Sequence, residues 1–219
     1  MKEILFATSN KSKINRFTKG LLTYDIKILT PEDISINVDV EENGQNAIEN
    51  ALIKARAYAK KTNLPVIAMD DTLYLDNVPE NKQPGMYVRR VNSKRLTDEE
   101  MIKYYSSLAK EYGTNGKLTA RWIYGMALIS NNYEYTYTWN KSNFYLSDTP
   151  SNIINPGYPL NTISINIKLN KYFTDLTEED KLLINEDETN VVKFIVTSLI
   201  TSEQKKIINL TIPPNLWYI

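Results

Sequence analysis

Residues 4–22, ILFATSNKSKINRFTKGLL, carry the pattern from which the fold is predicted. Residues 4–7 form a short apolar run bounded by polar residues, which is typical of a buried strand. A polar turn follows at residues 8–12. Apolar residues then recur with the spacing of a helix, at Ile14, Phe17, Leu21 and Leu22. The chain therefore begins with a strand, a turn and a helix, an order typical of α/β proteins.

The remaining chain continues this mixture of strands and helices. Further strands are predicted at residues 26–29, 66–69, 118–129 and 133–139, and helices at 47–61, 97–110, from 177 and over 191–199. Residues 130–132 are predicted to form the hairpin turn between the two long strands. We therefore predict a mixed α/β fold with long antiparallel hairpins, in a single domain over residues 1–219.

The composition limits the chemistry that the protein can perform. The 26 basic and 26 acidic residues balance, so no nucleic-acid polymer is expected as the main partner. Cysteine is absent, which excludes thiol catalysis, and histidine is also absent. A general base must therefore be a carboxylate, Lys or Tyr, and a metal site must use oxygen ligands. Such ligands suit Mg²⁺, Mn²⁺ or Ca²⁺.

The apolar segments are too short for a membrane protein. The first apolar run ends before residue 8, and a signal peptide needs a longer core. No segment approaches the roughly 20 apolar residues that span a bilayer. We therefore expect a cytoplasmic protein that does not enter a membrane.

The turn at residues 8–13 is the first candidate site, because it joins a predicted strand to a predicted helix. Backbone N–H groups at a helix N-terminus bind phosphate, and hydroxyl and ammonium groups add to such a site. Thr8, Asn10 and Lys13 supply groups of this kind. The local pattern alone favours an ordinary polar turn, since short motifs often occur by chance.

Acidic residues form two further candidate sites. Glu42 lies in an acidic loop and Glu49 on the following helix, where converging carboxylates would hold Mg²⁺. The alternatives are a solvated loop for Glu42 and a helix-capping pair of Asn46 with Glu49.

Asp70 and Asp71 follow an apolar run, and α/β sheets bind ligands at the carboxyl ends of their strands. Adjacent aspartates repel unless a cation lies nearby, whereas the alternative is a turn that ends the strand.

A loop with aromatic and basic residues is the fourth candidate. Residues 84–90, PGMYVRR, offer Tyr87 for stacking on a base and Arg90 for binding a phosphate or a purine edge. A plain surface loop is the alternative. The alternating aromatic residues at 133–139 are instead predicted to pack within the sheet.

Taken together and in order, these segments resemble the inosine triphosphatase-like family, the non-canonical purine nucleoside triphosphate pyrophosphatases (XTP/dITP diphosphatases). The similarity covers roughly the first 130 residues, and several blocks at consistent spacing are far more specific than one. The matching blocks are Thr8-x-Asn10-x-x-Lys13, residues 41–44 and 48–55, residues 66–71, residues 84–87 with Arg90, and residues 119–122.

The resemblance implies an α/β fold of two lobes around a long, mixed, twisted β-sheet with flanking helices, and a nucleotide cleft between the lobes. It also implies a homodimer. The residues that it assigns to the substrate are Thr8, Asn10, Lys13, Lys54, Tyr87, Arg90 and Tyr158. The residues that it assigns to Mg²⁺ are Glu42 and Asp70, with Glu49 and Asp71 in the same acidic cluster. Asp70 would also place or deprotonate the attacking water, and Lys13 would assist catalysis.

The sequence departs from the family pattern at two places. Met69 occupies the position at which the family carries an acidic residue before its catalytic Asp, and a shift of one residue would make Asp71 catalytic. The ungapped alignment favours Asp70. Near the C-terminus, a Gly-rich loop is reduced to residues 156–159, and residues 184–187 replace the Ser-His-Arg signature that helps read the purine. The residues that bind the phosphates and the metal are therefore expected to match the family, while selectivity for the base is expected to differ.

We therefore predict a hydrolase that converts a non-canonical or modified nucleoside triphosphate to the monophosphate and pyrophosphate. Its cofactor would be Mg²⁺, with Mn²⁺ as a substitute, and the chemistry is coherent without histidine. The alternative is a nucleotide-binding or sequestering protein on the same fold with little turnover.

Overall fold

The computed structural model describes residues 1–184 and 188–211. Its strands are β1 (Lys2–Phe6), β2 (Ile26–Leu29), β3 (Val66–Leu75), β4 (Arg90–Val91), β5 (Lys94–Arg95), β6 (Lys117–Ser130), β7 (Tyr133–Ser147), β8 (Ser164–Asn166) and β9 (Lys171–Tyr172). Its helices are α1 (Lys11–Leu22), α2 (Ala47–Ala59), α3 (Asp98–Tyr112), α4 (Glu178–Ile184) and α5 (Thr189–Thr211). Within the described residues, no helix is both long and apolar enough to cross a bilayer.

Seven strands form one mixed sheet, in the order β2-β1-β3-β6-β7-β8-β9. Strand β1 pairs in parallel with β2 and with β3, whereas β8 is antiparallel to both β7 and β9. Strands β4 and β5 form a separate antiparallel pair. The predicted mixed α/β class, with helices flanking a mixed sheet, is thus confirmed.

The hairpin between β6 and β7 has the turn that the sequence predicts. Asn131 and Asn132 adopt φ angles of 51° and 67°, and two successive positive φ values are the mark of a type I′ turn. Asparagine tolerates this conformation better than most residues because its short polar side chain can bond locally. Strand β7 extends to Ser147, beyond the predicted end at residue 139.

The chain divides into two compact units. Among the described residues, unit 1 contains 1–70, 125–138 and 188–211, and unit 2 contains 71–124 and 139–184. The strands β3, β6 and β7 each contribute residues to both units. A single domain over residues 1–219 stays a prediction.

In unit 1, helix α2 lies close against the sheet because both surfaces carry small residues. Ala51 and Ala55 are fully buried in a cluster with Leu5 of β1 and Val66 of β3. At Gly125 of β6, an added Cβ would lie 2.5 Å from the backbone N of Ile48 and 2.6 Å from the backbone C of Ala47. The first turn of α2 therefore packs directly against the β6 backbone, and this contact fixes the distance between that turn and the sheet.

Replacement of Gly125 by Ala should lower the free energy of unfolding by about 1–3 kcal/mol, because backbone atoms of α2 cannot yield to the added methyl group. Urea titration of the purified protein measures this change. Thr119→Ala, an exposed position on the same strand, is the control and should cost less than about 0.5 kcal/mol. Equal stability of the two variants would contradict the close approach of α2 and β6.

In unit 2, helix α3 packs its apolar face into the buried cluster. Met101, Tyr105 and Leu108 are buried against Leu73 of β3 and Phe144 of β7. The helix begins with a capping box, in which Thr97 accepts from the N–H of Glu100 while the Glu100 side chain accepts from the N–H of Thr97. Helix α3 is thus held by its cap at one end and by apolar packing along its length.

Candidate functional site

The turn before α1 is a capped helix start. The Oδ1 atom of Asn10 accepts from the N–H groups of Ser12 (2.9 Å) and Lys13 (3.3 Å), and Oγ1 of Thr8 accepts from the N–H of Asn10 (3.1 Å). These first-turn N–H groups are therefore already bonded to a side chain. Phosphate binding at this turn would use the Lys13 ammonium group, or would require Asn10 to turn away.

Two of the predicted site residues form an ion pair. Nζ of Lys54, on α2, lies 2.7 Å from Oε1 of Glu42, and the Lys54 side chain is only 15% exposed. The sequence assigned Lys54 to phosphate and Glu42 to the metal. The structure brings both together in unit 1, where each neutralises the other's charge.

Asn50 of α2 links the acidic loop to Asp70. Its Nδ2 group donates to Oδ2 of Asp70 (2.9 Å), and its Oδ1 atom accepts from the N–H of Gly44 (2.8 Å). Asn50 is 3% exposed. An added Cβ at Gly44 would lie 2.7 Å from Oδ1 of Asn50, so only glycine permits this approach. Asn50 and Lys54 are one helical turn apart, so one face of α2 holds both Asp70 and Glu42.

Sequence reasoning did not single out Asn50. The available signal was a polar residue on the buried stripe of a helix, between Ala47 and Ala51, which is costly unless its amide is hydrogen-bonded. The partners of that amide could not be predicted, because Asp70 is 20 positions away.

The prediction that Asp70 and Asp71 end a strand is wrong. Strand β3 runs through both residues to Leu75, because pairing continues beyond them: Leu73 forms a bridge with Gly85. Successive residues of a strand point to opposite faces. Asp70 points to the face that carries Asn50, and Asp71 points to the other face, so the two carboxylates do not form one site on the sheet. Met69, on the face opposite Asp70, is buried (1% exposed).

Glu49 serves as a helix cap. Its carboxylate accepts from the N–H of Gln45 (2.7 Å) and from Nδ2 of Asn46 (2.9 Å), while Oδ1 of Asn46 accepts from the N–H of Glu49 (3.0 Å). The capping pair is thus confirmed, and both carboxylate oxygens of Glu49 are used in it.

The acidic residues fit a metal that is shared with the substrate. In residues 1–184 and 188–211, no group of three or more acidic side chains is placed to hold a metal ion. Magnesium in nucleotide enzymes is usually held by one or two carboxylates together with substrate phosphates and water. Glu42 and Asp70, each held by a residue of α2, are oxygen donors suited to that arrangement. The predicted four-carboxylate set with Glu49 and Asp71 is not brought together.

Tyr87, Arg90 and Tyr158 belong to unit 2. The two tyrosines are large, exposed side chains, at 52% and 41%, and Arg90 is also exposed at the start of β4. Unit 2 also contains a cavity of about 560 Å³, lined by residues from the 153–161 loop, the 173–176 segment and α4. Of residues 184–187, which replace the base-reading signature, 185–187 lie outside the described residues.

The alternating aromatic residues of β7 are partly buried and pack against neighbouring side chains, as predicted. In unit 1, the ring of Tyr137 stacks on Phe194 of α5 with centroids 5.2 Å apart. In unit 2, Trp139 stacks on Tyr124 of β6 at 5.0 Å. Tyr137 and Trp139 thus each have one face used in packing.

Comparisons with known proteins support the resemblance drawn from the motifs. A sequence model described as the Ham1 family matches residues 4–144. The dITP/XTP pyrophosphatase of Bacillus subtilis (strain 168) is 31% identical over 183 residues, which cover 83% of this chain and 89% of that protein. The protein of the same name from Coxiella burnetii is 38% identical over 103 residues, 47% of this chain and 50% of that protein. The chain thus spans about half the length of some curated relatives that it matches.

Solved structures share the fold. The Staphylococcus aureus Ham1 protein is 25% identical and has a TM-score of 0.65, with 94% of this chain and all of that chain covered. A HAM1 protein from Coxiella burnetii has a TM-score of 0.69 at 24% identity, with 92% and 99% covered. At this level of identity the second likeness concerns the fold alone.

Proposed function

Because the chain belongs to the Ham1 family and is homologous to dITP/XTP pyrophosphatases, we propose that it is a Mg²⁺-dependent nucleoside triphosphate pyrophosphatase. The observation that carries the proposal is the face of α2 on which Lys54 holds Glu42 and Asn50 holds Asp70. The buried Asn50 amide is bonded to the Asp70 carboxylate, and one helical turn away Lys54 is paired with Glu42. Burying such polar and charged groups costs free energy, which is expected where the charges serve a ligand.

The ion pair of Lys54 and Glu42 is proposed to exchange partners when substrate binds. The Lys54 ammonium group would move to a phosphate oxygen, and the Glu42 carboxylate would become a metal ligand. Each charge keeps a partner of opposite sign, so the exchange avoids leaving a half-buried charge unpaired. The pair would therefore balance the charges of both side chains until the substrate binds.

Asp70 is proposed as the catalytic carboxylate. Asn50 orients it by donating to Oδ2. Asp70 and Glu42 would hold Mg²⁺ or Mn²⁺, which when bound neutralises charge that develops on the phosphates. Asp70 would place the attacking water and accept its proton, as the bond between the α- and β-phosphates breaks and pyrophosphate leaves. Lys13 would bind the triphosphate through its ammonium group, and Thr8 and Asn10 would contribute once the Asn10 side chain turns away from the first-turn N–H groups.

The base is proposed to be held mainly by stacking. Tyr87 and Tyr158 expose their rings, and every nucleobase has a face on which a ring can stack. Arg90 would contact a phosphate or the purine edge. We expect a non-canonical or modified purine nucleoside triphosphate as substrate, with broader selectivity than in relatives that read the base by hydrogen bonds.

The test is pyrophosphate release from a panel of nucleoside triphosphates, with and without Mg²⁺. The panel contains the common nucleotides, inosine and xanthosine triphosphates, and several modified bases. Release that requires Mg²⁺ and exceeds release from the common nucleotides would support the proposal. Tight binding across the panel without release would instead favour the nucleotide-sequestering function.

Lys13→Ala should lower kcat/KM by about 10-fold or more, because a charge-assisted contact to phosphate is worth roughly 1.5–3 kcal/mol. Steady-state kinetics with the preferred nucleotide measures the loss. Lys19→Ala, an exposed lysine on the same helix, is the matched control. Unchanged kinetics in Lys13→Ala would remove Lys13 from the site.

A homodimer and a cytoplasmic location complete the proposal. The homodimer comes from the family resemblance, and the location follows from a substrate that belongs to the cellular nucleotide pool. Sedimentation of the purified protein should show a dimer. A monomer at micromolar concentration would contradict this part of the proposal.

A further inference from the structure

We infer that Asp98 is a positioning residue, which ties together the two loops that carry Tyr87 and Tyr158 and thereby sets the affinity for the nucleoside part of the substrate. The inference rests on the proposed function. Asp98 is the first residue of α3, and each of its two carboxylate oxygens binds a different loop. No motif of the sequence pointed to it.

The geometry links the loops through one carboxylate. A guanidinium N–H of Arg89 donates to Oδ1 of Asp98 (2.6 Å), and the backbone N–H of Gly157 donates to Oδ2 (2.7 Å). The other terminal nitrogen of Arg89 lies 3.5 Å from the carbonyl oxygen of Gly157. The three residues thus close a ring of polar contacts, in which Asp98 is the only member anchored in a helix.

A second contact with α3 holds the chain directly after Tyr87. The hydroxyl of Tyr105, a fully buried residue of α3, donates to the carbonyl oxygen of Val88 (2.7 Å). Val88 and Arg89 are therefore both fastened to α3, immediately after Tyr87. Asp98 lies in the first turn of α3, which the capping box of Thr97 and Glu100 closes, so both contacts connect the 84–90 loop to one helix.

Electrostatics keep Asp98 charged at neutral pH. The hydrogen bond from Arg89, and then the one from the N–H of Gly157, lower the pKa of the Asp98 carboxyl. An ionised carboxylate accepts at both oxygens, which is what two donors on two loops require. Arg89 and Asp98 are each about one-third exposed, so the contact is partly screened by solvent.

Two exposed tyrosine side chains lie next to these polar contacts in the sequence. Tyr87 lies two positions before Arg89, and Tyr158 directly follows Gly157. Holding the loops in place reduces the conformational entropy that stacking on a base would otherwise cost. Asp98 should therefore affect binding of the nucleoside and leave binding of the phosphates unchanged.

The test compares Asp98→Ala and Asp98→Asn with Glu99→Gln, a control that removes an acidic charge from the same helix turn. Calorimetry gives the Kd for the preferred nucleoside triphosphate and for inorganic tripolyphosphate. Asp98→Ala should raise the nucleotide Kd and the KM about 10-fold, since base stacking is worth roughly 1–3 kcal/mol. The tripolyphosphate Kd and kcat should stay within about threefold, and Asp98→Asn should lie between Asp98→Ala and the control.

Amide hydrogen exchange of the unliganded variants tests whether Asp98 holds the two loops together. Asp98→Ala should speed exchange in residues 84–90 and 156–159 together, relative to Glu99→Gln. Unchanged exchange would overturn the inference, and so would equal losses of nucleotide and tripolyphosphate affinity. Absence of pyrophosphate release from the wild-type protein, with the Kd pattern above intact, would overturn only the proposed catalysis. A wild-type protein that binds no nucleotide would overturn both.

Discussion

Asp70→Asn should reduce pyrophosphate release by about 10³-fold or more, and should leave nucleotide affinity within about threefold of wild type. The substitution removes a negative charge and a proton acceptor but keeps the shape of the side chain. Its amide oxygen can still accept the hydrogen bond from Asn50, so the local packing is kept. Single-turnover kinetics measures the loss of chemistry, and calorimetry measures nucleotide binding.

Asp71→Asn is the matched control for this prediction. It makes the same chemical change one residue further along β3, on the opposite face of the sheet. We expect its kcat to stay within about threefold of wild type. Full activity in Asp70→Asn, together with loss of activity in Asp71→Asn, would transfer the catalytic role to Asp71.

Asn50→Asp should lower kcat by roughly 10–100-fold at neutral pH, the usual effect of losing a group that orients a metal-binding carboxylate. The new carboxylate can still accept from the N–H of Gly44, so the loop contact is kept. It has no N–H to donate to Asp70. The variant therefore separates the two roles of Asn50, because only the contact with the catalytic carboxylate is lost.

The pH profile of Asn50→Asp distinguishes this effect from a general loss of structure. Two carboxylates within hydrogen-bond distance repel each other, so ionising the second one requires a higher pH than ionising one alone. The rise of kcat with pH should therefore shift to higher pH than in wild type. Asn63→Asp, the same substitution at an exposed position between α2 and β3, is the control. A wild-type profile in Asn50→Asp would contradict the orienting role of Asn50.

Local features of this chain were predictable because they depend on residues only a few positions apart. The first strand and helix, the capping pair of Asn46 with Glu49, and the turn at Asn131 and Asn132 were all predicted from such patterns. For the capping pair and the turn, the hydrogen-bond partner or the required φ angle lies within four residues, and the first strand and helix are marked by the spacing of neighbouring apolar residues. The family was also predictable, because spacing between motifs is a property of the sequence itself.

The tertiary structure decided which side chains meet. Asp70 and Asp71 are neighbours in sequence, yet strand geometry points them to opposite faces, and only Asp70 shares a face with α2. The sequence assigned Glu42 and Lys54 to different ligands, whereas the structure pairs them at 2.7 Å. The contact of Asn50 with Asp70 forms because α2 packs on the sheet. That packing depends on Gly125 of β6, which is far from α2 in the sequence. Such contacts join residues far apart along the chain, and their distances are set by packing, which no local pattern encodes.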